Sequence, residues 1–86
     1  MREAQQRLAN LEIRANSAAS GLQQVRSRQQ AQGKVIPVDI LEDMNRARQF
    51  LAQTHAALGS NELPAVTAYM NRTDVEITKV EKFLGR

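Results

Sequence analysis

The segment from Leu63 to Leu84 constrains the fold of this chain more than any other part of the sequence. It is rich in β-branched residues, which favour strands on propensity alone, yet one set of its residues recurs at alternating spacings of three and four. The members of this set are Leu63, Val66, Met70, Thr73, Ile77, Val80 and Leu84. The segment is also far longer than an ordinary strand, and burial of one helical face outweighs the propensity cost. The pattern therefore predicts a helix over residues 61–84, capped by Ser60 or Asn61.

A second segment, over about residues 39–58, has the same periodicity. Asp39 and Glu42 match a D-x-x-E variant of the capping box at its start, and Gly59 is placed to end it in the left-handed conformation. Its stripe consists of Ile40, Met44, Ala47, Leu51, Thr54 and Leu58, widened by Leu41, Phe50 and Ala57. A stripe of this width is typical of a helix that contacts two neighbours.

The first helix is predicted to be the longest, over about residues 2–32, with Gly33 as its C-terminal stop. Its stripe keeps heptad spacing through Ala4, Leu8, Leu11, Ala15, Ala18, Leu22 and Val25. The stretch "ANSAASG" in its middle consists mostly of small residues, which permit close approach by a neighbouring helix. The alternative is a break into two shorter helices near Ser20–Gly21, since glycine and serine lower helix propensity.

Three helices with short connections predict an all-α, antiparallel up-down-up three-helix bundle, which forms a single domain over residues 1–86. The chain begins directly on a helical pattern, which favours a domain excised from a larger protein. The first connection contains three apolar residues, Val35, Ile36 and Val38. We expect them to close one end of the bundle, against Phe83 and Leu84.

Helix lengths at 1.5 Å per residue differ by roughly 10–15 Å, with the first helix reaching furthest. Its first turns, with Leu8 and Leu11, are therefore expected to project beyond the bundle and to bind a partner; the alternative is fraying of a cut end. Ile13 and Val75 fall outside the predicted core stripes. Leu8, Leu11 and Ile13 are the predicted partner-binding residues.

Motifs for catalysis or cofactor binding are lacking in the sequence. There is no cysteine, and His55 is the only histidine, so no cofactor or metal site is expected. Asp39, Glu42 and Asp43 form an acidic cluster, which we interpret as favourable charge at a helix N-terminus. No apolar run is long enough to span a bilayer. The sequence therefore predicts a protein that is not an enzyme and does not insert into a membrane.

The net charge of +3 is concentrated on the first helix and its exit. Arginine can bind phosphate and glutamine can read an adenine edge, so "QQVRSRQQAQGK" is the best nucleic-acid candidate in the sequence. Aromatic residues do not interleave with it. The alternative function is thus a nucleic-acid binding helical domain that uses a basic cluster of five residues: Arg26, Arg28, Lys34, Arg46 and Arg48.

The stretch "ALGSNELPAVTAYMNRT", residues 57–73, resembles the turn and second helix of a tetratricopeptide-type helical hairpin. Gly59 stands at the turn, Ala65 at the small packing position and Tyr69 at the aromatic position. The resemblance implies a helical hairpin only, because there is one extra residue between the glycine and the alanine and no 34-residue period repeats. The whole layout also resembles small helical segments at the C-terminal end of bacterial regulatory or envelope proteins.

These observations favour a non-catalytic helical module for protein–protein interaction or oligomerisation, within a larger bacterial protein. Its partner would be a second copy of the chain or another domain of the parent protein. Nucleic-acid binding is the less favoured alternative.

Overall fold

The computed structural model describes residues 2–86, which form three α-helices and no strand. The helices are α1 (Arg2–Ala31), α2 (Val38–Gly59) and α3 (Leu63–Phe83). They lie side by side in a particle of 47 × 19 × 17 Å, whose long dimension matches the length of about 45 Å for the 30 residues of α1. The predicted three-helix bundle, with the first helix longest, is confirmed.

The core lies along one seam shared by the three helices, and α2 and α3 pack most closely. The predicted stripes supply nearly all of it. The buried apolar residues are Leu8, Leu11, Ala15, Ala18, Leu22, Ile36, Met44, Ala47, Leu51, Ala57, Val66, Met70, Ile77 and Val80. Periodicity therefore outweighed β-propensity in α3, because only a helix places these residues on one face.

Two threonines, Thr54 and Thr73, are completely buried in the seam. Each hydroxyl donates a hydrogen bond to a carbonyl one turn earlier in its own helix, to Phe50 O at 2.7 Å and to Tyr69 O at 2.8 Å. Each hydroxyl proton is therefore satisfied within its helix, which avoids the cost of burying an unpaired donor.

The small residues of α1 allow close packing, as predicted. Ala18 is completely buried, and Gly21 is buried beside the C-terminal residues. A Cβ at Gly21 would lie 2.9 Å from Leu84 Cδ1, so only glycine fits without displacing that side chain. The helix continues through this point, and the alternative of a break near Ser20–Gly21 is wrong.

The turns between the helices differ in part from the prediction. Gly33 has a φ of 74° after α1, as expected of a glycine stop. Gly59 instead belongs to α2, and the left-handed position is taken by Asn61, with a φ of 59°. Asparagine tolerates this conformation better than most residues, so the turn forms without glycine there.

The predicted N-terminal caps are wrong. The N-cap position of α2 is Pro37, and no side chain caps the helix, so Asp39 lies inside the first turn and does not form a capping box. The N-cap position of α3 is Glu62, again without a side-chain cap, and not Ser60 or Asn61. Asp39 still places negative charge at the positive end of the α2 dipole.

Arg14 joins α1 to α3 through the most extensive polar contact between these helices. Its guanidinium donates to Asp74 Oδ1 at 2.8 Å and to both carboxylate oxygens of Glu81, at 2.7 and 3.2 Å. Hydrogen bonding to Glu81, with a smaller contribution from Asp74, raises the pKa of Arg14 above its ordinary value. Because the shift is upward, the stabilisation is fully present at neutral pH and is lost only in strongly alkaline solution, as the pH rises through the pKa of the folded state.

The prediction that Leu8 and Leu11 project uncovered is wrong, since they are only 5 % and 3 % exposed. Arg7 donates to Asn71 Oδ1 at 2.8 Å, which places this end of α1 beside the first half of α3. The prediction rested on the lengths of α1 and α2, whereas α3 lies beside the first turns of α1. Of the three predicted partner-binding residues, only Ile13 lies on the surface, 67 % exposed.

Leu11→Ala should lower the free energy of unfolding by about 2–5 kcal/mol, because it removes a fully packed side chain. Ile13→Ala is the matched control and should change stability by less than about 0.5 kcal/mol. Urea denaturation followed by circular dichroism measures both. Equal losses for the two variants would contradict the assignment of Leu11 to the core.

Arg14→Lys should lower the free energy of unfolding by about 0.5–1 kcal/mol, because lysine cannot bind Glu81 in the bidentate geometry and the pair is partly screened by solvent. Arg7→Lys, which loses a single exposed hydrogen bond, is the control and should cost less. The difference should shrink in high salt. Equal stability of both variants at low salt would contradict this role for Arg14.

Candidate functional site

The helices end at different levels, and this leaves one end of the bundle with two helices instead of three. Arg86, three residues beyond α3, donates to Ser17 Oγ at 2.9 Å, and Leu84 contacts Gly21. The ten residues of α1 from 22 to 31 therefore extend about 15 Å past this level. The cavities that this stretch lines are completed by α2 and the first connection. The projecting end is the opposite one from that predicted.

A groove open to solvent runs between α1 and α2 at this two-helix end, with a volume of about 580 Å³. We call it the outer groove. Its lining residues are Ala19, Leu22, Gln23, Arg26, Ser27, Gln30, Ile36, Leu41, Met44, Asn45 and Arg48. None of them belongs to α3. The buried side chains of Leu22, Ile36 and Met44 form its floor, and the other lining residues, which are half-buried or exposed, form the two walls.

The first connection contributes one side chain to the outer groove. Ile36 is 5 % exposed and lines it together with Leu22 and Met44. Of the three apolar residues expected to close this end, only Ile36 is buried, because Val35 is 82 % exposed and Val38 is 65 % exposed. Val35 and Ile36 belong to the connection of residues 34–37, whereas Val38 is the first residue of α2.

Arg26 of α1 and Arg48 of α2 both line the outer groove. Within residues 2–86, neither forms an ion pair or a side-chain hydrogen bond. Arg28 and Lys34 are exposed and likewise have no ion pair among the described side chains, but they do not line the groove. The two-helix end therefore carries four uncompensated cations.

Arg46, the fifth member of the predicted basic cluster, has a different environment. It binds Asp43 Oδ1 at 2.5 Å, Glu76 Oε2 of α3 at 3.5 Å and Glu42 Oε2 at 3.9 Å. Hydrogen bonding to Asp43 raises the pKa of Arg46 above its ordinary value. These acids offset its charge, so the structure brings together Arg26 and Arg48 but leaves Arg46 on the α2–α3 side.

The remaining candidate groups take part in ion pairs. His55 of α2 pairs with Glu12 of α1 on the surface, and buried Asp43 binds Arg46 within α2. Across residues 2–86, no three histidine, aspartate or glutamate side chains are grouped closely enough to hold a metal ion. None of the three helices is both long and apolar enough to cross a membrane.

No sequence pattern indicated the outer groove. Ile13 and Val75, which the sequence placed outside the core stripes, are both exposed and do not line the groove. Leu41, which widens the α2 stripe, is 41 % exposed and lines the groove. A stripe shows which face of a helix is apolar, but not which residues at the edge of that face a neighbour leaves uncovered.

Comparisons of the chain with protein-family models, with curated proteins and with solved structures found no significant match. The geometry of the outer groove is therefore the basis for a functional proposal.

Ile36→Ala should lower the melting temperature clearly, with a loss of about 2–5 kcal/mol, because it opens the floor of the groove and part of the core. Val35→Ala, one residue away and almost fully exposed, should leave the melting temperature nearly unchanged. Thermal unfolding followed by circular dichroism compares them. A loss of the same size in Val35→Ala would contradict the inward orientation of Ile36 alone.

Proposed function

We propose that the chain is a non-catalytic helical module that binds a helix of a partner protein in the outer groove. The observation that carries this proposal is an open groove of about 580 Å³ between two helices, with the buried apolar side chains of Leu22, Ile36 and Met44 as its floor. Grooves of this shape accept the apolar face of an amphipathic helix.

The apolar surface around the groove supports the proposal. Leu41 is partly exposed on its wall, and the largely exposed Val35 lines a smaller adjoining cavity together with Ile36. Apolar side chains that converge on one concavity favour a binding surface, whereas scattered ones need no explanation. Ile13, which is exposed but does not line the groove, is the remaining candidate from the sequence.

The polar groups on the groove walls support a non-catalytic role. They are two arginines, two glutamines, an asparagine and Ser27. The groove lining contains no carboxylate or imidazole that could act as a general base for Ser27. These polar groups are suited to recognition of a partner's surface and not to making or breaking covalent bonds.

Nucleic-acid binding is a second candidate, favoured by the four uncompensated cations Arg26, Arg28, Lys34 and Arg48. If all four contacted phosphates of a duplex, the affinity would fall with salt with a logarithmic slope of about −3.6. Apolar packing of a helix into the groove predicts almost no dependence on salt. A salt titration of any observed binding therefore separates the two candidates.

The proposal is tested with a helical probe peptide of about four turns that presents leucines on one face and glutamines elsewhere. Titration followed by nuclear magnetic resonance should shift the backbone amides of Leu22, Leu41 and Met44. Leu41→Lys should weaken binding about tenfold, because it places a charge in the apolar contact. Val75→Lys is the matched control, since it adds the same charge to another exposed apolar position.

Two results would overturn the proposal: no shift in the groove at millimolar peptide, or equal effects of Leu41→Lys and Val75→Lys. Light scattering across concentration provides the complementary measurement. A mass that doubles with concentration, and that Leu41→Lys returns to a monomer, would identify a second copy of the chain as the occupant of the groove.

A further inference from the structure

The charge of the outer groove points to the chemistry of its occupant. Both arginines on its walls are unpaired among the described residues, and no acidic residue lines it. The nearby acids are engaged elsewhere or lie outside the lining. Glu42 and Asp43 bind Arg46, and Asp39 is exposed in the first turn of α2 without lining the groove.

The two arginines lie on opposite walls and at different depths along the groove. Arg26, on α1, also lines the smaller cavity with Leu41, Val35 and Ile36. Arg48, on α2, does not line that cavity and follows Leu41 by seven residues, or about 10 Å along the helix axis. The positive charges are thus separated by about two helical turns and by the width of the groove.

A bound helix with uncharged residues beside its apolar stripe would cover these guanidinium groups. Their hydration would be lost, and no ion pair would compensate it. Covering an unpaired charge is unfavourable, whereas a carboxylate at hydrogen-bond distance compensates it with a charge-assisted pair. The groove therefore favours a partner that has acidic residues beside its apolar stripe.

We infer that the outer groove takes an acidic amphipathic helix of another protein, with carboxylates on both edges of its apolar stripe, about two turns apart. This inference rests on the proposed function and specifies the partner of the same site. The α1 wall spans Ala19 to Gln30, so the contact covers about three turns of the bound helix, or about 16 Å.

The test compares three helical peptides that share one leucine face and differ only at their edge positions, which are glutamate, glutamine or lysine. Fluorescence anisotropy at low salt should give the order glutamate, then glutamine, then lysine. We expect about a tenfold difference between the first and the last. The preference should decline as salt rises, because the arginines are exposed to solvent.

Charge reversal identifies the residues that set this order. Arg26→Glu should weaken binding of the glutamate-edged peptide about fivefold and strengthen binding of the lysine-edged peptide. Arg28→Glu is the matched control: it makes the same change two residues away, on an exposed residue outside the groove. It should change either affinity by less than about twofold. Arg48→Glu should repeat the effect of Arg26→Glu.

The outcomes separate this inference from the proposed function. Equal binding of the three peptides at the groove would overturn the acidic partner and leave the proposed function intact. Binding of none of them would overturn both. Equal effects of Arg26→Glu and Arg28→Glu, with tighter binding to a short DNA duplex than to any peptide, would overturn both in favour of nucleic-acid binding.

Discussion

The close packing of α2 against α3 is the constraint on which the rest of the molecule depends. Their shared seam contains the most deeply buried side chains of the chain, including Val66, Ile77 and Val80. α1 then lies against this hairpin through small residues and is aligned with α3 by Arg14, Asp74 and Glu81. Since α3 ends at the level of Gly21, the last third of α1 has only α2 as a helical neighbour. The outer groove lies between α1 and α2, and no residue of α3 lines it.

The sequence was sufficient for the helices because their residues obey one period over long stretches. Thr73 shows how far this holds: it occupies a stripe position, is fully buried and satisfies its hydroxyl within its own helix. Helix ends were less predictable. Asn61 took the left-handed conformation expected of Gly59, because several residues near a turn can satisfy the same backbone requirement.

The candidate site was largely beyond sequence reasoning, because it depends on which residues of α1 and α2 lie opposite each other. The length of a helix does not determine the level at which it begins relative to its neighbours. Contacts such as Arg7–Asn71 and Ser17–Arg86 determine that level, and they join residues more than sixty positions apart. The same difficulty affected the basic cluster. Arg46 and Arg48 are two residues apart, and the rotation of about 200° between them on a helix directs Arg46 to acids and Arg48 to the groove.

The two-helix end also differs from the rest of the bundle in how its backbone is protected from solvent. Between Gln23 and Gln32, only Val25 and Gln29 are half-buried, and the other residues are exposed. Helical amides with so little tertiary cover open at a low free-energy cost, so they exchange hydrogen with water before those of the seam. A molecule seated in the outer groove would slow this exchange, and part of its binding energy would be used to order the end of α1.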